Sequence, residues 1–416
     1  MNARPAVLRL GACLLLTGCY QAPGDLRPDS PARSRESAPA DVERATPQSC
    51  DAALGAILSR DPTLRAARAG LPVARADVEA AGAWDPLELR AGDNLRDLGG
   101  ESKVELRLRL PGPGVAGAET SAAEARVELT SAEIRALEVE VAQAARIAHA
   151  DLRLAAASAH LAHAAAAEAH QNAELLIQRA RAGTATAVGA AEARLAASAA
   201  DDAAAAADRK ALRLRSRWAA RVGAPPEENG TCAAPDPASA KLEANPSVAA
   251  ARAEAWEADA TAFAEARSQW IWPTYAQLGW SNDSAGNRRE DRIVFEFGIA
   301  LPWPGDDAGD VAAAEATQRR EAAEAAIVTA QSAIGVATAT YAEALAARED
   351  LEKRQAEIDE ATALLTRGQA AGAAPNELAG LSKRLREHQK ALAEADHDVA
   401  VAAAELHAAL GFAAAR

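Results

Sequence analysis

The sequence predicts a mainly α-helical chain with a small β part: duplicated long helical hairpins, each carrying a β-hairpin. Two observations carry this. Stretches of strict apolar–polar alternation stop at Pro-Gly corners and run straight into proline-free, alanine-rich segments, so a strand period gives way to a helical one. The corner also occurs twice: Leu110-Pro111-Gly112-Pro113-Gly114 answers to Leu301-Pro302-Trp303-Pro304-Gly305, and the same displacement carries Ala123-Glu124-Ala125 onto Ala314-Glu315-Ala316. Upstream, the segment opening at Asp61-Pro62 answers to the one at Asn245-Pro246. Landmarks of several kinds at near-constant spacing mark an internal duplication.

Composition agrees. Aromatics make up 3% of the 416 residues and charges 25%, interspersed among alanines, the profile of long helices and coiled coils. The net charge is −14 and no basic cluster is interleaved with aromatics, so nucleic acid is not an expected partner.

Taken in order, the chain starts with Arg4 and Arg9 and a short apolar run from Gly11 to Leu16. That reads as an export signal, too short to span a membrane. Leu16-Thr17-Gly18-Cys19 follows and resembles a bacterial lipobox. The resemblance implies that residues 1–18 are removed and that Cys19 is lipidated with palmitate as the mature N-terminus. A plain signal with an incidental cysteine is the alternative. Tyr20 follows rather than aspartate, which in such lipoproteins implies outer-membrane delivery. Residues 19–48 are rich in Pro, Ser, Arg and Ala and read as a disordered tether.

The first repeat spans 49–225. A short helix over about 51–82 leads to a β-hairpin over about 85–110. Its first strand, Asp85 to Ala91, sets Leu87 and Leu89 against Glu88 and Arg90; its second sets Val104, Leu106, Leu108 and Leu110 against Glu105, Arg107 and Arg109. The polar stretch from Gly92 to Ser102 reads as the loop between two brief strands. A helical hairpin over about 116–222 follows, its first arm proline-free from Ala116 to Ala182 and on the order of 100 Å long. Ile134, Leu137, Val141, Ala145, Ala148 and Leu152 step along it as a coiled-coil seam. Gly183 and Gly189 interrupt it, and a shorter helix returns over about 190–222.

After a linker over 226–238, the second repeat spans 239–412 in the same order. It has a helix over about 239–268, a β-hairpin over about 274–301 and a helical hairpin over about 306–410 that turns near Gly372 and Pro375. Ala276, Leu278 and Trp280 alternate in its first strand, and Phe295, Phe297, Ile299 and Leu301 in its second.

Four strands make an open sheet that cannot bury an apolar face alone. A membrane solves this, with Val104, Leu106, Leu108, Phe295, Phe297 and Ile299 toward lipid, Glu105, Arg107 and Arg109 toward water, and edges closed by neighbouring copies. Trp84, Trp270, Trp272, Tyr275, Trp280 and Trp303 cluster near strand ends, where a bilayer interface favours them. A half-buried soluble sheet under the helices explains the alternation but not those tryptophans.

Cys50 and Cys232 each precede a repeat's opening Asp-Pro or Asn-Pro. In an exported chain they are candidates for a disulfide, with two free thiols as the alternative. A zinc site there is disfavoured, because no histidine is near either cysteine in sequence. His149, His160, His163 and His170 fall on one side of the long helix. A solvated polar stripe is the plain reading, and only His160 and His163 are spaced closely enough to offer one ion a pair of ligands. No phosphate-binding glycine loop, dinucleotide fingerprint, paired-cysteine zinc pattern or nucleophile constellation occurs. Neither enzymatic activity nor a cofactor is therefore expected.

The duplicated order of helix, β-hairpin, long helix, glycine turn and helix, with Asn245-Pro246, Trp272-Pro273 and the two Pro-Gly corners, resembles the TolC-type outer membrane efflux protein family, lipoprotein subgroup, over about 50–411. The resemblance implies a homotrimer whose copies supply four strands each to a 12-stranded transmembrane barrel, continued by a coiled-coil tunnel into the periplasm. It implies a passive exit duct working with a periplasmic adaptor protein and an inner-membrane pump. The adaptor would meet the helix turns at Gly183-Thr184 and Gly372-Ala373. Family members often carry aspartates after the second turn, where this chain has Leu378 and Leu381. The rival readings are a periplasmic coiled-coil adaptor and a structural outer-membrane lipoprotein without transport.

Overall fold

The Asp-Pro and Asn-Pro pairs that mark the repeats begin helices. The computed structural model describes residues 50–413 except 82–86, 97–98, 111, 113, 224–229, 231, 237–241, 243–244, 269, 284–289, 301–307 and 371–374. In order, its elements are α1 (Cys50–Arg60), α2 (Pro62–Ala81), β1 (Glu88–Arg96), β2 (Gly99–Arg109), α3 (Val115–Arg181), α4 (Ala187–Val222), α5 (Pro246–Ser268), β3 (Trp272–Asp283), β4 (Glu290–Ala300), α6 (Ala308–Lys353), α7 (Gln355–Ala370) and α8 (Pro375–Ala409). Asp61 Oδ1 accepts from the N–H groups of Thr63 and Leu64 at 2.9 and 3.1 Å. Asn245 Oδ1 accepts from the N–H of Ser247 at 3.0 Å. Each cap precedes a proline at the first helical position, where the missing N–H has no helical partner to lose. The sequence predicts one helix over 51–82, but Asp61 splits it, and α5 starts at its cap rather than near 239.

α3 is the mast of the molecule, 67 residues long, with α1, α2, α4, α5 and α8 packed along it. Its buried positions advance by heptads: Ala118, Ala125, Ala132, Val139 and Arg146, then Ala145, Leu152, Ala159, Ala166 and Ala173. That is the period of a left-handed coiled coil. The predicted seam holds only in part. Ile134, Ala145 and Leu152 are buried, but Leu137, Val141 and Ala148 are half-buried. Alanine, more often than the larger side chains, faces the neighbours. α4 answers with Ala190, Ala197, Ala204 and Trp218, and α6 with Ala316, Ala323 and Ala330. A buried methyl contributes only about 0.8 kcal/mol, so this thin-walled shaft owes its stability to length.

The second repeat departs from the first between α6 and α7. Its long helix is interrupted at Arg354, whose N–H bonds the carbonyl of Leu351 at 3.2 Å in one tightened turn. Neither proline nor glycine stands there, and nothing in the structure explains the break.

The two hairpins do not stay separate. β2 pairs with β3, giving one antiparallel sheet in the order β1-β2-β3-β4, and the N–H of Leu110 extends that seam to the carbonyl of Thr274 at 2.9 Å. The stretch Gly92–Ser102, predicted as loop, is mostly strand: β1 runs to Arg96 and β2 starts at Gly99. Alternation in the sequence fades there while backbone pairing continues. The strands are thus 9, 11, 12 and 11 residues long, the length a tilted strand needs to cross a bilayer, about 9–11 residues.

Candidate functional site

Register sorts the side chains of the sheet into rows. Leu89, Leu106, Leu278 and Phe295 stand side by side, as do Ala91, Val104, Trp280 and Ile293. Paired residues share a face, so with Leu108, Ala276 and Phe297 these rows coat one side in hydrocarbon. The opposite side carries Glu88, Arg107, Gln277 and Glu296 in one row and Arg90, Glu105, Gly279 and Val294 in the next. The apolar side is uncovered: Phe295 is 70% exposed and Phe297 66%. A sheet tucked under its own helices is not what forms. So large an exposed apolar patch marks a surface made for lipid or another chain.

On the polar side, Glu88 reaches Arg90 at 2.9 Å and Arg109 at 3.6 Å. Arg107 lies over the Tyr275 ring, 3.9 Å from its centre, a cation–π contact. The ring in turn lies across Gly298, where a β-carbon would fall inside it. Both signs of charge alternate across this face, which suits a wet surface better than a selective one.

Aromatic anchors gather where the sheet meets the helices. Trp270, Ile271 and Trp272 are exposed there, and the Arg267 guanidinium caps the Trp270 ring at 3.9 Å. Trp280, predicted near a strand end, stands instead in the apolar row of Val104 and Ile293. Trp84 and Trp303 lie outside the described residues, as do Gly372, Ala373 and Cys19.

At the far end of the shaft, α3 turns into α4 at Gly183-Thr184. Gly183 has φ +74° with open space around its β-position, so backbone conformation alone selects glycine. The N–H and hydroxyl of Thr184 both donate to the carbonyl of Arg179, at 2.8 and 3.1 Å. Thr186 then caps α4 by accepting from the N–H of Gly189 at 3.1 Å. The side chain of Glu168, farther up α3, accepts from Ser382 and Arg386 of α8, both at 2.5 Å.

Midway along α3, Cys50 and Cys232 are joined as a disulfide with Cα atoms 5.0 Å apart. The sequence argument against a histidine here fails, because the fold, not the chain order, brings His149 to both sulfurs. His149 is 2% exposed, and its ring centre lies 5.2 Å from that of Trp218. Among the described residues its Nε2 has no hydrogen-bond partner. Burial, and then the charge of Arg153, lowers its pKa. A cavity of about 310 Å³ beside it is lined by Arg146, Cys232, Tyr341, Asp396 and His407. His407 donates from Nε2 to the carbonyl of Ala233 at 3.0 Å, and its pKa is lowered chiefly by burial. Arg146 is held by the carbonyls of Phe412 and Ala413 at 3.4 and 3.1 Å.

The histidine stripe does not converge on an ion. His163 bonds Asp208 and His170 bonds Asp201 across the α3–α4 pair, each at 2.8 Å, while His160 lines a separate groove with His397. His160 and His163 are therefore not brought together. Among the described residues, the cluster with metal-ligand geometry is Cys50, His149 and Cys232, a set spread over three segments.

No protein-family model matches the sequence, and no curated protein matches it. Solved structures do match its shape. CusC, whose structures concern transmembrane channel formation, superposes with a TM-score of 0.71 at 16% identity, covering 88% of this chain and 93% of that one. A membrane protein from Pseudomonas aeruginosa gives 0.70 at 18% identity, covering 88% and 91%. The outer membrane protein VceC from Vibrio cholerae gives 0.68 at 18% identity, covering 87% and 96%. At these identities the likeness establishes a shared fold: a duplicated helical shaft bearing a four-stranded sheet.

Proposed function

We propose that the chain is the outer-membrane exit duct of a tripartite export system: a passive homotrimeric channel-tunnel that passes substrate from a periplasmic adaptor and an inner-membrane pump to the exterior. The carrying observation is the two-faced sheet. Its bare side is hydrocarbon, its other side is charged, and its edge strands β1 and β4 present unpaired backbone. In lipid such edges must close. Along β1-β2-β3-β4 direction alternates, so β4 of one copy can pair with β1 of the next in the same antiparallel sense. Two copies would give eight strands, whose interior side chains fill. Three give 12, with a circumference of roughly 75 Å and a diameter near 24 Å at about 4.8 Å per strand and 40° tilt. Three is thus the smallest closed number that leaves a lumen for Glu105, Arg107 and Arg109 to line.

The shared fold with outer-membrane channels supports this reading; the adaptor would meet the glycine turn at Gly183-Thr184 and, at the matching place in the second repeat's sequence, Gly372-Ala373. A duct needs no catalytic residue and no cofactor; the pump supplies the energy. A single-hairpin adaptor does not account for two repeats sharing one sheet. A structural lipoprotein without transport is separated by conductance. Purified trimers in a planar bilayer should give stepwise single-channel currents, and trimers that insert without conducting would leave the structural role standing. Lipidation at Cys19 predicts that Cys19→Ser abolishes palmitate labelling, and continued labelling refutes it.

A further inference from the structure

We infer that Cys50, Cys232 and His149 form a redox-gated binding site for a soft divalent cation, closed while the disulfide stands and opened when it is reduced. The one sulfur pair would then tie α1 to the segment between α4 and α5 in either of two ways, covalently or through a metal that also takes His149 of α3.

Three observations carry this. The ligand atoms of the three residues lie within 4.8 Å of one another, close enough for side-chain rotation alone to gather them around one ion. His149 is buried, leans on Trp218, and keeps Nε2 without a partner. A buried polar atom left unsatisfied is costly and calls for a ligand. The cavity of about 310 Å³ reaches both His149 and Cys232, providing a route in and room for an exogenous fourth ligand.

Two thiolates, one imidazole and an open position are a zinc-type donor set, and sulfur donors select such cations over magnesium or calcium. Charge agrees. A divalent ion with two thiolates is neutral, so it adds no positive charge beside buried Arg146 and nearby Arg153. The balance is simple. A dithiol reductant delivers two electrons and two protons, breaking the S–S bond to give two thiols, and itself becomes a disulfide. The cation then displaces both thiol protons to solvent as two metal–sulfur bonds form.

The test uses the full chain in detergent, reduced with a dithiol, freed of reductant without air, and titrated with Co²⁺ and then Zn²⁺. The expected result is one Co²⁺ per chain with intense thiolate-to-metal absorption, displaced by Zn²⁺, and no binding to the oxidised protein. His149→Ala should weaken Co²⁺ binding at least tenfold while still forming the Cys50–Cys232 disulfide on oxidation. Should that variant misfold, Zn²⁺ protection of Cys50 and Cys232 from alkylation in the reduced native chain, read by peptide mass, decides the matter. Two free thiols with no absorption band, no Zn²⁺ protection, or a folded His149→Ala that binds as tightly as the native chain would each overturn the site.

Discussion

Phe295 and Glu296 are neighbours on β4 that point to opposite faces of the sheet, so one arginine placed at each in turn separates lipid from lumen. Phe295 lies midway along Glu290–Ala300 and is 70% exposed in the single chain. For a phenylalanine surface of about 200 Å² at about 25 cal/mol/Å², acyl chains covering that fraction supply about 3.5 kcal/mol. Arginine forfeits this and adds a mid-bilayer charge penalty of about 2–4 kcal/mol. Phe295→Arg should therefore cost roughly 5.5–7.5 kcal/mol per chain, enough to prevent insertion. Glu296→Arg, on the face read as wet, should stay within about 1 kcal/mol. Urea titration of the protein folded into phospholipid vesicles, followed by tryptophan fluorescence, reads both. Equal shifts for the two variants, or a Phe295→Arg shift under about 1 kcal/mol, would refute the assignment of faces.

Cys50→Ser opens a crosslink spanning 182 residues, so the unfolding free energy should fall by up to about 5 kcal/mol and the denaturation midpoint should lose its sensitivity to reductant. Gly298→Val should drive the Tyr275 ring off Arg107 at a cost of about 1–3 kcal/mol, visible as lower stability in vesicles; an unchanged midpoint would mean that the ring moves freely. Glu168→Gln weakens a partly exposed tie between α3 and α8 and should cost about 1 kcal/mol, with a double-mutant cycle against Arg386→Gln showing coupling. Burial lowers the pKa of His149 and His407 below the ordinary imidazole value of 6.5, so the unfolded chain takes up protons first. Stability should be full above that value and decline as pH falls through it toward the lowered folded values. Melting curves between about pH 7.5 and pH 5 should show this slope, and His407→Gln should flatten it.

The fold was legible where side chains repeat with a period and illegible where only the backbone decides. Val104-Leu106-Leu108 and Phe295-Phe297-Ile299 alternate because one face must be apolar, and the sequence alone sorts them correctly into one side of one sheet. Strand ends at Arg96 and Gly99 carry no such mark, because the pairing that extends β1 and β2 there is made by backbone bonds, which no side-chain pattern records. The seam of α3 is legible only in part for a related reason. Leu137 and Val141 attract attention by size yet stay half-buried, whereas in an alanine-rich shaft the closest approach mostly belongs to the smallest side chain, and the heptads of alanine carry the signal. The sequence places His149 in a polar stripe and hides its place at the cysteines, since that proximity arises only when α1 and the segment around Cys232 pack against α3.

One helix tests whether this architecture is complete as a single chain. The stretch Ala308–Gly368 is long and apolar enough to cross a membrane by composition, yet little of its most apolar window is buried in the fold. It is not a span. α6 alone has 46 residues, about 70 Å against a hydrocarbon thickness of about 30 Å. Arg319 and Arg320 are paired with Glu254 and Asp259 of α5 at 2.7 and 2.6 Å, an arrangement for water. Its apolar residues Val311, Val328 and Val336 remain more than half exposed. Something other than lipid has to cover them, and connectivity says what. α6 follows the edge strand β4, and α2 precedes the opposite edge strand β1, so pairing β4 with the β1 of a neighbouring copy sets the start of α6 beside the end of that copy's α2. On the proposed barrel, the open sheet edges and the bare helix stripe are two ends of one interface, and the rotation that closes the sheet also covers the shaft.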